Sequence, residues 1–224
     1  MKSPPPGVRT RGDEPTGARL VLIRHGEAEC NARGAAGGPL GDGGLTERGR
    51  AQSAALCDRL VNSRELDDAV ALYTSTLPRS IETAAIIAPG LRPGLVAVEE
   101  CELCELQPGE ADAMTWGEMY EVFGAPDWDV DPEAPFAPGG ESWTGFYERS
   151  QRILTELERR HYGQRVVLVV HGGIIENAMK MFLHEKPSTR LRLRTENCSM
   201  SEIEFDGERR RLLSYNDRVP LAAR

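Results

Sequence analysis

Leu20-Val21-Leu22-Ile23-Arg24-His25-Gly26-Glu27 has a counterpart far along the chain in Val166-Val167-Leu168-Val169-Val170-His171-Gly172-Gly173. Each is an unbroken apolar run that ends on a histidine and a glycine. Runs without polar alternation read as strands buried on both faces of a sheet. Open α/β sheets bind ligands beyond the carboxyl ends of such strands. Two strand-end histidines therefore predict one site with two facing imidazoles. Arg24 predicts that the site holds an oxyanion, because a guanidinium fork matches phosphate geometry.

The pattern around these runs supports an α/β class. A loop with six glycines spans 33–44, and a helix is expected from about Thr46 to Leu60. Ala69 to Tyr73 reads as a second strand, followed by a helix from Ser80 to Ile87 that stops before Pro89-Gly90. Leu95 to Val98 reads as a third short strand. A helix over Ser142–Arg160 would bury Phe146, Ile153, Leu154 and Leu157, with Ser142 as its cap. Ile174–Leu183 reads as a helix, and Ser199–Phe205 with Arg211–Tyr215 as a hairpin around Asp206-Gly207. Strands alternating with helices give a three-layer α/β/α fold around a mostly parallel sheet.

Residues 1–18 are rich in Pro, Gly, Arg and Thr and read as a disordered arm, with one domain over 19–216 and a tail over 217–224. The formal net charge of −8 disfavours general binding to nucleic acid or anionic membranes. Any bound anion then needs a local positive pocket. Five scattered cysteines give no disulfide framework and fit a reducing compartment. The start lacks the apolar core of a signal peptide, and no run approaches bilayer-spanning length. A cytoplasmic protein with no membrane or nucleic-acid partner is expected. Its oligomeric state stays open, a homodimer being one option.

The chemistry-bearing residues gather at predicted strand ends. A neutral imidazole at position 25 is a good nucleophile toward phosphorus. A core histidine satisfied by hydrogen bonds is the plainer alternative for that position. Gly26 clears space where backbone must approach a ligand. Arg79 opens a helix after a strand, where free N–H groups favour anions. Cys101-Glu102-Leu103-Cys104 is a lone pair of thiols with no second pair to complete a zinc site. Asp127-Trp128-Asp129-Val130-Asp131 starts like a calcium loop but fails at Pro132 and Pro138, and so reads as a solvated acidic loop.

Together these stretches resemble the histidine phosphatase superfamily, in the branch similar to phosphoglycerate mutase. The likeness rests on Leu22 to Glu27 with Asn31, on Leu45-Thr46-Glu47-Arg48-Gly49 with Gln52, on Ser75 to Ala84 around Arg79, and on Val169 to Gly173. It implies that His25 becomes a phosphohistidine and that Arg24, Arg79 and His171 surround the phosphoryl group. Asn31 falls near the same pocket. The family's general acid is a glutamate in a Leu-x-Glu setting before a glycine, which Leu103-Cys104-Glu105 with Gly109 fits; Glu102 and Glu110 compete for the role. Two guanidiniums and an imidazolium would give three positive charges. Glu105 would protonate the leaving alcohol and later deprotonate water, which implies faster turnover at mildly acidic pH. No metal or cofactor is required.

Mutases of this family carry a longer insertion with extra basic residues. Here no Lys or Arg occurs from Pro93 to Glu148, a stretch with fourteen acidic residues and all three tryptophans. A hydrolase of small phosphomonoesters is expected, with a neutral or cationic leaving group contacting Trp116, Tyr120 or Trp128. Repulsion of carboxylated substrates by the acidic run is one reading of it, and a solvated surface is the other. A mutase-type phosphotransferase and a non-catalytic binding module on the same fold remain the alternatives.

Overall fold

A computed structural model describes residues 17–188, 193–206 and 209–219. Its centre is a six-stranded sheet in the order β3-β2-β4-β1-β5-β6, comprising β1 (Ala18–Arg24), β2 (Ala69–Thr74), β3 (Ala97–Glu99), β4 (Arg165–Val170), β5 (Met200–Asp206) and β6 (Arg209–Asp217). The pairs β1/β4, β2/β4 and β2/β3 are parallel, while β5 and β6 close the far edge antiparallel. The helices are α1 (Glu29–Arg33), α2 (Glu47–Ser63), α3 (Pro78–Ile87), α4 (Trp116–Phe123), α5 (Trp143–Arg160) and α6 (Gly172–Phe182). The three-layer α/β/α expectation holds.

The apolar runs behave as their composition requires. Alternate side chains of a strand point to opposite faces. Leu20, Leu22, Val166, Leu168 and Val170 join a core with Phe146, Leu157, Ile174 and Ile175 of α5 and α6. Val21, Ile23, Val167 and Val169 join a second core with Leu56, Leu60, Ala84 and Ile87 of α2 and α3. Both faces are covered, so neither run can alternate with polar residues. All of β4 is buried, and each such Val or Leu contributes about 1.5–3 kcal/mol.

The expected elements shift at their ends. The helix after the glycine-rich loop runs on to Ser63, with Thr46 as its cap accepting the Gly49 N–H. The next helix opens at Pro78, two residues early, because proline is preorganised for a first helical turn. The third strand moves from 95–98 to Ala97–Glu99, where it pairs in register with Leu72 to Thr74. The helices α1 and α4 were not expected from the sequence. The strand β1 already includes Ala18, which pairs with Phe205, and β6 reaches Asp217, which pairs with Met200. The expected arm and tail give up those residues; positions 1–16 and 220–224, and Gly207 of the hairpin turn, lie outside the described residues. Among the described residues no helix is long and apolar enough to cross a membrane.

Candidate active site

The register of the sheet builds the site. Arg24 is the partner of Val170 across the parallel β1/β4 pair, so the residues that follow, His25 and His171, emerge side by side. Their ring centroids lie 5.0 Å apart. The pair β2/β4 carries Thr74 opposite Val169, which brings Ser75 to the same edge. Both histidines are buried, at 2% and 0% exposure.

Hydrogen bonds fix the tautomers. The Arg79 Nε–H can only donate, and it points at His25 Nε2 (3.1 Å) and at His171 Nδ1 (3.2 Å). Both nitrogens therefore offer lone pairs. His25 Nδ1–H donates to the Gly26 carbonyl at 2.6 Å. His171 Nε2–H donates to Ser75 Oγ at 2.7 Å, with Ser80 Oγ at 3.3 Å. Burial first, then the Arg79 and Arg24 charges, holds the His25 pKa well below the usual imidazole value. Burial, then Arg79, His25 and Arg24, does the same to His171. Burial and the neighbouring charges thus favour a neutral His171 in the free site, so the expected third positive charge belongs to the anion-bound state.

Arg79 is held by residues that sequence reasoning missed. Asp42 Oδ2 accepts from its Nη1 at 2.8 Å, and the Gly37 carbonyl accepts from the same nitrogen at 2.7 Å. The Asp42 side chain is fully buried in this pair. Its sequence signal was an aspartate between glycines, a setting that favours a local turn; Oδ1 takes the Gly44 N–H two residues on. Arg24 donates through Nη1 to the Thr195 carbonyl, while its buried Nε has no hydrogen-bond partner among the described residues. A buried donor left unpaired is costly, so this N–H suits an arriving anion. Asn197 Nδ2 donates to the His25 carbonyl at 3.0 Å, and Thr83 Oγ1 accepts the Gly26 N–H at 3.0 Å.

Of the three candidate acids, only Glu105 lines the cavity. Its Oε2 accepts the Gly173 N–H at 3.0 Å and its Oε1 the Leu106 N–H at 3.1 Å. A Cβ on Gly173 would stand 2.2 Å from Oε1 and 2.7 Å from the buried Phe146 ring, so a larger residue would push the Glu105 carboxylate away. Glu102 instead pairs with Arg152, and Glu110 is exposed. The buried Arg149 of α5 clamps this segment. It donates to the carbonyls of Glu102 (2.6 Å), Cys104 (2.9 Å) and Glu105 (3.2 Å), and it meets Glu141 through two bonds of 2.7 Å. Asn31 also lines the cavity and caps Ala28 through Oδ1 at 3.1 Å.

The acidic run does not face the pocket. Of its fourteen carboxylates only Glu105 is in the lining. Asp112 caps the N–H groups of Gly38, Leu40 and Gly41, Glu118 caps α4, and Asp127 and Asp131 cap their own loop. Apart from Glu105, no carboxylate of the run reaches the pocket wall, which favours the solvated-surface reading of the run over direct repulsion of a carboxylated substrate. The two thiols of Cys101 and Cys104 part ways: the first is exposed, and the second is buried against Thr76 Oγ1 at 3.1 Å.

The model of the histidine phosphatase superfamily (branch 1) matches residues 20–218. The chain belongs to the histidine phosphatase superfamily. Phosphoserine phosphatase 1 of Hydrogenobacter thermophilus is 32% identical, over 88% of this chain and 92% of its own. Phosphoglycerate mutase-like protein 4 of Arabidopsis thaliana is 30% identical, over 89% and 85%. The solved structure of a mycobacterial glucosyl-3-phosphoglycerate phosphatase in complex with VO3 superposes with a TM-score of 0.72 at 26% identity, covering 89% of this chain and 99% of that one. These relatives support phosphatase activity for this member of the superfamily.

Proposed function

We propose that the protein hydrolyses phosphate monoesters of small molecules through a phosphohistidine on His25, without a metal ion. The observation that carries this is the His25 Nε2 lone pair, held by the Arg79 Nε–H at the wall of a cavity that His25, Arg24, Arg79 and Glu105 line together. The arriving phosphoryl oxygens take the Arg79 and Arg24 N–H groups, which releases Nε2 to attack phosphorus. The N–P bond forms as the ester P–O bond breaks, and Glu105 gives its proton to the leaving oxygen. Glu105 then takes a proton from water, whose oxygen attacks phosphorus. The P–N bond breaks and phosphate leaves with the electron pair returned to Nε2.

His171 gains a proton at Nδ1 only when the anion is bound, because the anion's charge offsets the burial and the neighbouring guanidiniums that keep the ring neutral. Phosphoryl transfer relies on such positioning and charge stabilisation. The depressed pKa of His25 keeps the nucleophile deprotonated below the usual imidazole range. Turnover therefore persists or rises from pH 7 to about pH 5.5, where an ordinary imidazole is mostly protonated; a steady rise toward pH 9 contradicts the roles assigned to His25 and Glu105.

A common phosphoenzyme has a distinct kinetic signature. Esters with different leaving alcohols must partition identically between water and an added alcohol acceptor. Measuring the ratio of phosphate to transfer product for three such esters tests this. A constant ratio supports the double displacement, and a ratio that varies with the leaving group excludes it. Phosphate moved between the hydroxyls of phosphoglycerate would favour the mutase reading instead.

A further inference from the structure

The cavity reaches well beyond the phosphoryl cradle. Its volume of about 610 Å³ is in the range of pockets that enclose whole metabolites. The outer wall is aromatic, with Trp116, Tyr120, Trp128 and Phe136 in the lining. Trp116 meets Phe136 edge-on with centroids 5.7 Å apart, and Trp128 stacks on Phe136 at 5.6 Å. The Trp128 Nε1–H is satisfied by the Ala134 carbonyl at 3.0 Å. Phe136 belongs to a core of its own with Ala36, Ala111, Met119 and Ala137, apart from the two cores on the sheet faces; Trp128 packs against this core, and Trp116 meets it through Phe136. The wall is thus preassembled.

Trp116 and Tyr120 stand four residues apart on α4, spacing that puts both on one helix face. They remain 43% and 50% exposed beside the cavity, while Met119 between them is buried. A helix that served packing alone would turn its largest rings inward. With no carboxylate of the acidic run but Glu105 in the lining, ring surface and not charge dominates the part of this wall that α4 and the loop after it supply.

We infer that the preferred leaving alcohol carries a flat aromatic ring, which stacks on the exposed rings of Trp116 and Tyr120, in a wall braced by Phe136 and by Trp128, itself stacked on Phe136 and Trp143. The inference rests on the phosphatase reading above. Offset and edge-to-face ring pairs add to simple area burial, so a ring of matching reach gains about tenfold in kcat/KM.

Ethyl phosphate, 2-cyclohexylethyl phosphate and 2-phenylethyl phosphate share a primary alcohol leaving group and differ in what they present to the wall. The phenyl ester is expected to exceed the ethyl ester about tenfold and to exceed the cyclohexyl ester as well. Trp116→Ala and Tyr120→Ala each bring the phenyl-to-ethyl ratio toward one. Equal rates for the phenyl and ethyl esters, equal rates for the phenyl and cyclohexyl esters, or a ratio that survives both substitutions overturns the inference. Binding of 3-phenylpropylphosphonate, followed by tryptophan fluorescence against propylphosphonate, reads the same subsite without catalysis. Tighter binding of the phenyl compound together with no turnover of any ester would sink the phosphatase reading and leave the ring subsite standing.

Discussion

At the scale of single residues, the site is a set of donors and acceptors arranged so that one imidazole nitrogen keeps its lone pair. His25, Arg24, Arg79 and His171 were legible in the sequence because each follows a strand end or opens a helix. Asp42 and Asn197 were not legible in that way, and Ser75, though it follows a strand end, gave no sign of its bond to His171. Their roles come from contacts between segments far apart in the chain, and an aspartate in a glycine-rich loop looks like any turn residue. Asp42 now carries a prediction. Asp42→Asn leaves the Arg79 guanidinium buried without its anion, which costs about 3–5 kcal/mol. Bound phosphate supplies a replacement charge. The melting temperature of the variant should therefore rise more on adding phosphate than that of the wild type, and kcat should fall about tenfold with KM falling as well, since the anion binds the variant more tightly. Equal phosphate-induced shifts in the two proteins would show that Asp42 does not serve Arg79.

At the scale of elements, strands and long helices could be read from apolar periodicity, whereas α1 and α4 could not. Both are short, and α4 owes its place to a Thr115 and Glu118 capping box and to the buried Met119. The strand β3 shifted because its pairing with β2, and not its apolar content, sets its limits; Val98 is half exposed there. The role of α5 in holding the Glu105 segment was also hidden, since Arg149 reads as one charge on an amphipathic helix. Its planar fork spans three carbonyls and a carboxylate, which lysine cannot do. Arg149→Lys should therefore loosen Glu105 and slow hydrolysis of alkyl phosphates about tenfold. An aryl phosphate such as p-nitrophenyl phosphate, whose leaving group needs little protonation, should lose much less. Equal losses on both substrates would assign Arg149 to general stability and not to the acid.

At the scale of the whole molecule, the sheet brings two buried neutral histidines against two guanidiniums, and folding must keep them unprotonated. The unfolded chain takes up a proton on each ring near pH 6.5, while the folded chain does not. Stability is thus fullest above about pH 7 and drains as pH falls through the unfolded pKa, by up to about 2.7 kcal/mol per pH unit for the two rings. Urea unfolding at pH 7, 6 and 5 should show this slope, with a shallower slope for His171→Gln. An unchanged slope in that variant would mean that other groups govern acid sensitivity.

In the proposed mechanism His25 Nε2 receives phosphorus, and trapping the phosphoenzyme in a single turnover without acid is the decisive measurement. Enzyme mixed with a ³²P-labelled monoester and quenched in alkali should retain label that survives base, is lost in acid, and maps to the peptide carrying His25. The His25→Ala protein should retain none and should lose at least about a thousandfold in rate. Turnover without a labelled protein, or label that maps to any residue other than His25, would contradict the account.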